Sequence, residues 1–184
     1  RLGITKVILP EYDAIVGVEQ HTPNHIYDVE MHTLIALKNI EADPILRLTM
    51  LFHDFGKPVV KKTDKGRDIF YKHPEVSAQM CRDILKRLKF DNYTLERVYR
   101  LVKWHGLKYF PNEVSVRRAL NRVGKDIFEQ FIKVQRADVS AKNPEVVEKK
   151  QKLLDEKETI YRQIIERGDC FEVKTLAVNG KDLI

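Results

Sequence analysis

Apolar residues recur along this chain at intervals of three and four, and the runs so patterned are bracketed by helix punctuation. Asp43-Pro44 offers an N-cap aspartate with proline at the first helical position. The run through Ile45, Leu48 and Phe52 then stops at Gly56, with Pro58 just beyond. His73-Pro74 opens a second helix, carrying Val76, Ala78, Ile84, Leu85 and Leu88 to a turn at Asp91-Asn92. Thr94 is placed to cap the next, whose apolar face is Leu95, Val98, Leu101 and Val102, ending at Gly106. Ser115 opens a further helix with Val116, Ala119, Leu120 and Val123, closed by Gly124; Ile127, Phe131 and Val134 follow at helical spacing. Asn143-Pro144 begins the last long helix, which ends at Arg167-Gly168. Its dense Glu and Lys content reads as a solvated outer face, with Val147, Leu154, Tyr161 and Ile164 turned inward. Only "DKGRDIFY", residues 64–71, has the turn chemistry of a short hairpin or loop. The pattern predicts one all-α domain, a helical bundle without internal repeats.

Composition narrows this picture. A chain of 184 residues, 43% hydrophobic, is long enough for one well-buried core. No stretch of 18 or more apolar residues occurs, so no membrane span is expected. The chain opens with Arg1 and lacks a secretory pattern, and it reads as a piece of a longer protein. Its final "LAVNGKDLI" looks like the opening of an element that continues further. Cys81 and Cys170 form no CxxC pair, which argues against a disulfide framework or zinc–thiolate site and points to the reducing cytoplasm. The net charge of +6 leans toward a polyanionic partner or a phosphorylated substrate.

The chemistry lies where apolar stripes end in polar residues. In "LTMLFHDFGKP" the pair His53-Asp54 follows Leu51 and Phe52 directly, and a buried, unpaired carboxylate costs several kcal/mol. Either a metal or a basic side chain must meet Asp54. The bland alternative is a histidine bonded to a backbone carbonyl and an aspartate paired with Lys57. Val29, His32, Ile35 and Ala36 share one helical face, which puts His32 among apolar residues, with Asp28 four residues earlier as a candidate acceptor for its other nitrogen. The stripe Ile127, Phe131, Val134 continues to Asp138. Val98, Leu101 and Val102 lead to His105, and His73 stands before its own helix. Five elements that each end an apolar face in His or Asp favour a metal. Imidazole and carboxylate ligands without thiolate suit iron, manganese, magnesium, nickel or zinc.

The ordered set His32, His53-Asp54, His73, His105, Asp138 resembles the HD superfamily of metal-dependent phosphohydrolases, whose pattern is H…HD…H…H…D on a helical bundle. The resemblance implies a core metal set of His32, His53, Asp54 and Asp138. It also implies a second ion held by His73 and His105, with Asp54 bridging. "LPEYDAIVGVEQHTPNHIYDVEMHT", "HDFGKP", "FYKHPEVSA", "RRALNRVG" and "RADVSAKNP" look more closely like the HD-containing bacterial CCA-adding tRNA nucleotidyltransferases and their poly(A) polymerase relatives. Those proteins carry an N-terminal nucleotidyltransferase head with a GS…DxD motif, which does not occur in these residues. By that likeness residues 1–142 are the HD domain with an N-terminal flanking segment. Residues 143–184 are then the charged helix and the start of a further C-terminal element.

The family's HD module implies 2′,3′-cyclic phosphodiesterase, phosphatase and 2′-nucleotidase activity on tRNA or RNA 3′ ends, with one or two divalent ions as cofactor. Asp54 would orient the attacking group, and Lys57 could reach a phosphate oxygen as a point charge. Arg118 and Arg122 share a face one turn apart and can hold a phosphate, though an ordinary solvated surface is the plainer reading. Lys61, Lys62, Lys65 and Arg67 could track an RNA backbone. Tyr71, Tyr109 and Phe110 could stack on bases or pack in the core, and Trp104 would shape the pocket wall. Two alternatives stay open: an HD phosphohydrolase of free nucleotides, and a non-catalytic RNA-binding body domain.

Overall fold

Aspartate and asparagine side chains fix where most of the longer helices begin. In the computed structural model, which describes residues 3–168, two short helices, α1 (Thr5–Ile8) and α2 (Pro10–Asp13), precede α3 (Val29–Asn39). Asp28 caps α3 by accepting from Met31 N at 2.7 Å, and Asp43 caps α4 (Pro44–Phe52) through Leu46 N at 2.9 Å. A turn through Gly56 leads to α5 (Lys57–Val60) and a hairpin of β1 (Lys62–Asp64) and β2 (Arg67–Ile69). The hairpin starts two residues before the stretch expected from turn chemistry. Its register pairs Lys62 with Ile69 and Asp64 with Arg67, and positive φ at Lys65 and Gly66 closes the two-residue loop.

The second half is α6 (His73–Arg87), α7 (Asn92–Trp104), α8 (Glu113–Val123), α9 (Phe128–Ser140) and α10 (Pro144–Glu166). Two caps differ from expectation. Asp91, not Thr94, caps α7, accepting from Thr94 N at 2.9 Å and from the Thr94 hydroxyl. Asn112, not Ser115, caps α8, and Ser115 Oγ instead accepts from Phe110 N in the loop before it. In both cases the cap stands three residues before the residue whose amide it satisfies, a spacing that also favours the earlier polar residue.

α4 is the central element, touching α3, α6, α7 and α9. Phe52 packs with Phe55, Ala78, Ile84, Leu85, Val98 and Val102 in one apolar cluster. Leu46 and Met50 pack with Ala36, Val134 and Ala137 in a second, on the side of α3 and α9. A third cluster joins α7, α8, α9 and α10 through Leu101, Val116, Leu120, Phe128, Phe131 and Ile164. Cys81 is buried filler in the first cluster, and burial pushes its thiol up to about 12. The stretch "LAVNGKDLI" at the chain's end and Cys170 lie outside the described residues. Among the described residues, no helix is long and apolar enough to cross a membrane.

Candidate metal centre

Because α4 is gripped on several sides, the residues that leave its end are surrounded by the termini of its neighbours. His53 and Asp54 follow Phe52, His73 is the first residue of α6, and His105 is the residue after α7. His32 enters from α3 and Asp138 from α9. His32, His53 and Asp138 present one ligand atom each within 4.8 Å of one another, and so do Asp54, His73 and His105.

The backbone decides which ring nitrogens carry protons. A carbonyl oxygen can only accept, so a ring nitrogen held against one must donate. His53 Nδ1 lies 2.7 Å from Met50 O, His73 Nδ1 2.8 Å from Phe70 O, and His105 Nδ1 2.7 Å from Val102 O. His32 Nδ1 lies 3.1 Å from Ala141 O. When these rings are neutral, every Nε2 therefore offers a lone pair, the state a metal ligand needs. This corrects the expectation for Asp28, which caps its own helix while Ala141 O orients His32 from across the bundle.

The four Nε2 atoms converge on two carboxylates. His32 Nε2 is 3.0 Å from Asp138 Oδ1 and 3.6 Å from Asp54 Oδ2, and His53 Nε2 is 3.1 Å from Asp54 Oδ2. Asp54 turns its other oxygen to the remaining pair: Oδ1 is 3.3 Å from His73 Nε2 and 3.8 Å from His105 Nε2. His73 Nε2 and His105 Nε2 are 3.2 Å apart. His53 Nε2 is buried without a hydrogen-bond partner among the described residues, and Asp54 Oδ2 is met by the Lys57 ammonium as an ion pair, not in hydrogen-bond geometry. Imidazole lone pairs facing one another and two carboxylates fit a cation, and this donor set can hold a divalent metal.

Lysines balance the two carboxylates. Lys57 Nζ stands 2.6 Å from Asp54 Oδ2 and donates to Gln20 Oε1 at 2.6 Å, and the residue is only 4% exposed. Lys142 pairs with Asp138 Oδ2 from one turn on. Burial opposes the charge on Asp54, but the neighbouring charges of His53 and Lys57 overcome it and hold the carboxyl well below its usual range. Asp138 is held down likewise by Lys142 and His32 against the effect of burial. His53 is lifted by the charge on Asp54 despite burial, whereas burial and the charges of His53 and His73 push His105 down to about 3. Both halves of the bland alternative, a carbonyl-bonded His53 and a Lys57-paired Asp54, thus coexist with the converging ligand set.

His25, in the loop before α3, was not singled out by the sequence. Its ring packs edge-on against His32 at 4.9 Å, and burial, with the charges of Lys57 and His32, pushes it down to about 3. A loop residue has no periodicity to betray its neighbours; Lys142, four residues after Asp138, had a readable signal. Arg118 and Arg122 are exposed on α8 and do not line the cavity beside the cluster. Tyr109 is core, while Tyr71 and Phe110 are 76% and 73% exposed. Trp104 packs with the third apolar cluster and does not line that cavity. Lys61 is engaged by Asp68 at 3.0 Å and Glu19 O.

Residues 24–172, which include α10, match the HD domain family. The chain belongs to that family. This HD chain is 36% identical over 145 residues to the CC-adding tRNA nucleotidyltransferase of Thermus thermophilus, covering 75% of the chain and 33% of that protein. It is 31% identical over 147 residues to the A-adding tRNA nucleotidyltransferase of Deinococcus radiodurans, covering 76% and 33%. A multifunctional CCA protein of Neisseria gonorrhoeae is 30% identical over 145 residues, covering 73% and 34%. The chain spans about a third of the length of these relatives.

Proposed function

We propose that this HD chain is a metal-dependent phosphohydrolase module of a tRNA nucleotidyltransferase, acting on 2′,3′-cyclic phosphates and phosphate monoesters at tRNA or RNA ends. The observation that carries the reading is the set of four Nε2 lone pairs turned toward Asp54 and Asp138. His32, His53 and Asp138 would hold one divalent ion, His73 and His105 a second, with Asp54 offering one oxygen to each. When bound, such ions supply an acidified water and positive charge for the phosphoryl oxygens.

The chain's own groups do the rest. Backbone carbonyls lock the four rings, so no reorganisation is needed when substrate arrives. Lys57, fixed between Gln20 and Asp54, keeps positive charge at the floor of the site as a proposed phosphate contact. Arg118 and Arg122 make no ion pair among the described residues, unlike Arg117, which is tied to Glu113. That leaves them available to an RNA backbone at some distance from the cluster.

Metal analysis of the purified chain, beside a panel of cyclic-phosphate RNA ends, 2′-monophosphates and free nucleotides, tests this directly. We expect bound divalent metal and hydrolysis that chelation abolishes and a divalent ion restores. Preference for free nucleotides would transfer the activity to that substrate class. Full metal occupancy without any hydrolysis would sink the reading and favour an RNA-binding body domain.

A further inference from the structure

α10 does not simply show solvent its charged surface. Lys150, Leu153, Leu154 and Lys157 recur at helical spacing along one face, and that face looks onto α9 and the loop after α7. Between them lies a cavity of about 270 Å³, whose lining includes Lys108, Lys142, Lys150 and Lys157 and reaches His105 and Asp138 of the metal centre. Asp138 is the only carboxylate in that lining, and Lys142 already pairs with it. Lys150 donates to Asn24 Oδ1 at 2.7 Å, and Lys157 sits 4.3 Å over the Tyr109 ring. Among the described residues, neither meets a carboxylate. The cavity therefore gathers more positive charge than the protein neutralises.

Two further atoms point to a ligand. Tyr109 Oη and Gln135 Oε1 are buried in the same lining without a hydrogen-bond partner, on side chains of residues 8% exposed. The Gln135 amide is not free to turn, because its Nε2 donates to His105 O at 3.1 Å and Leu107 O at 3.0 Å. Its oxygen thus waits for an N–H or O–H donor, and leaving such an acceptor unmet is unfavourable. Lysines call for an anion and Gln135 for a donor. A nucleotide carries both, the anion in its phosphate and the donors in its ribose hydroxyls and base N–H groups.

We propose that this cavity is the subsite for a second phosphate of the substrate, next to the one at the metal centre. The module then takes nucleotide ends bearing at least two phosphates in preference to monophosphates. The inference rests on the phosphohydrolase reading only in assigning the scissile phosphate to the His–Asp cluster. The second phosphate can be an internucleotide diester or a 5′-phosphate, since the lysines meet the same chemistry in both.

The test is equilibrium binding to the chelator-treated chain, so that it stands whether or not hydrolysis occurs. Three probes are titrated: adenosine 2′,3′-cyclic phosphate, its 5′-phosphorylated form, and the dinucleotide ApA ending in a 2′,3′-cyclic phosphate. We expect at least one two-phosphate probe to bind about tenfold tighter than the single-phosphate probe, the effect of one charge-assisted contact. In Lys150→Gln/Lys157→Gln the ratio should fall to about one. Lys149→Gln/Lys152→Gln, on exposed positions of the same helix, should keep it. Should the first double variant fail to fold, Lys108→Gln, at an exposed position, should lower the ratio on its own. Equal affinity for all three probes, a ratio that survives Lys150→Gln/Lys157→Gln, or no binding of any probe would overturn the proposal. Hydrolysis failing while the ratio holds would remove the catalytic reading and leave this subsite standing.

Discussion

His73 Nε2 and His105 Nε2 meet at 3.2 Å although both rings have committed Nδ1 to a backbone carbonyl. Two neutral imidazoles so arranged turn lone pairs on each other, and only a proton or a metal ion between them relieves the repulsion. Burial and neighbouring charge hold His105 far below an ordinary histidine, so at neutral pH that ring does not supply the proton. A divalent ion is the natural occupant. His73→Ala/His105→Ala should therefore bind one equivalent of metal fewer than the wild type, by elemental analysis. It should lose about 100-fold or more in kcat, the scale of one preorganised electrostatic contact. Unchanged metal content and activity would show that the pair is structural.

Asp54 and Lys57 form a buried ion pair at 2.6 Å beside that cluster. Removing one partner leaves the other charge uncompensated, whereas removing both does not. Asp54→Asn should destabilise the chelated protein by about 3 kcal/mol in denaturant unfolding. Asp54→Asn/Lys57→Met should recover most of that stability while remaining unable to bind metal normally. If the double variant is as unstable as the single one, the loss comes from Asp54's other contacts and not from Lys57.

The pattern of helices and the six proposed ligand positions were legible: His53-Asp54, His105 and Asp138 each end an apolar stripe, as Asp138 does after Ile127, Phe131 and Val134, while His32 lies within one and His73 opens its helix. The partners that orient them were not. Ala141 O, Met50 O, Phe70 O and Val102 O are backbone groups, and a backbone carbonyl has no signature in the sequence. Asp28 looked right for His32 by spacing, but an aspartate before a helix first satisfies the helix's own amides. The charged face of α10 misled for a related reason. Lys150 and Lys157 line a cavity together with Leu153 and Leu154, a placement that long amphipathic side chains permit and that composition alone reads as exposure. The helical pattern placed α10 correctly, yet which of its charged faces turns inward depended on α9 and the loop after α7.

Gly56 was readable as a helix stop, but its neighbours give a further reason for glycine. A Cβ there would lie 2.7 Å from His73 O and from Ser77 N, both backbone atoms of α6. The amide of Gly56 also donates to Ser77 Oγ at 2.8 Å, locking the turn after His53-Asp54 to the helix that starts with His73. Gly56→Ala should cost about 2–3 kcal/mol by overpacking and weaken metal binding by moving His73. Gly66→Ala is the control: its φ is +75° but open space surrounds it, so it should cost about 1 kcal/mol and leave metal binding intact. Denaturant midpoints and metal titration together decide this. Equal metal affinity in both variants would separate the turn from the site.

The last prediction concerns acid. His25 and His105 are both pushed down to about 3, each with burial as the largest cause, while an unfolded histidine titrates near 6.5. Between those values the unfolded chain binds a proton that the folded chain refuses, so stability falls as pH falls. His53 has the opposite sign. Its folded value is raised by Asp54, so its contribution is fully present below about 6.5 and is lost only as pH rises through the folded value. Asp54 and Asp138 are depressed, and their contribution holds above about 4 and is lost on further acidification. The window from pH 6 to 4.5 is thus governed by His25 and His105. Each should contribute a loss of at most about 2 kcal/mol across it, from ~1.4 kcal/mol per pH unit. Unfolding of the chelated chain at intervals through that window should show the decline, and His105→Asn should remove roughly half of the slope. A stability that stays flat from pH 6 to 4.5 would mean that neither ring resists protonation in the folded chain.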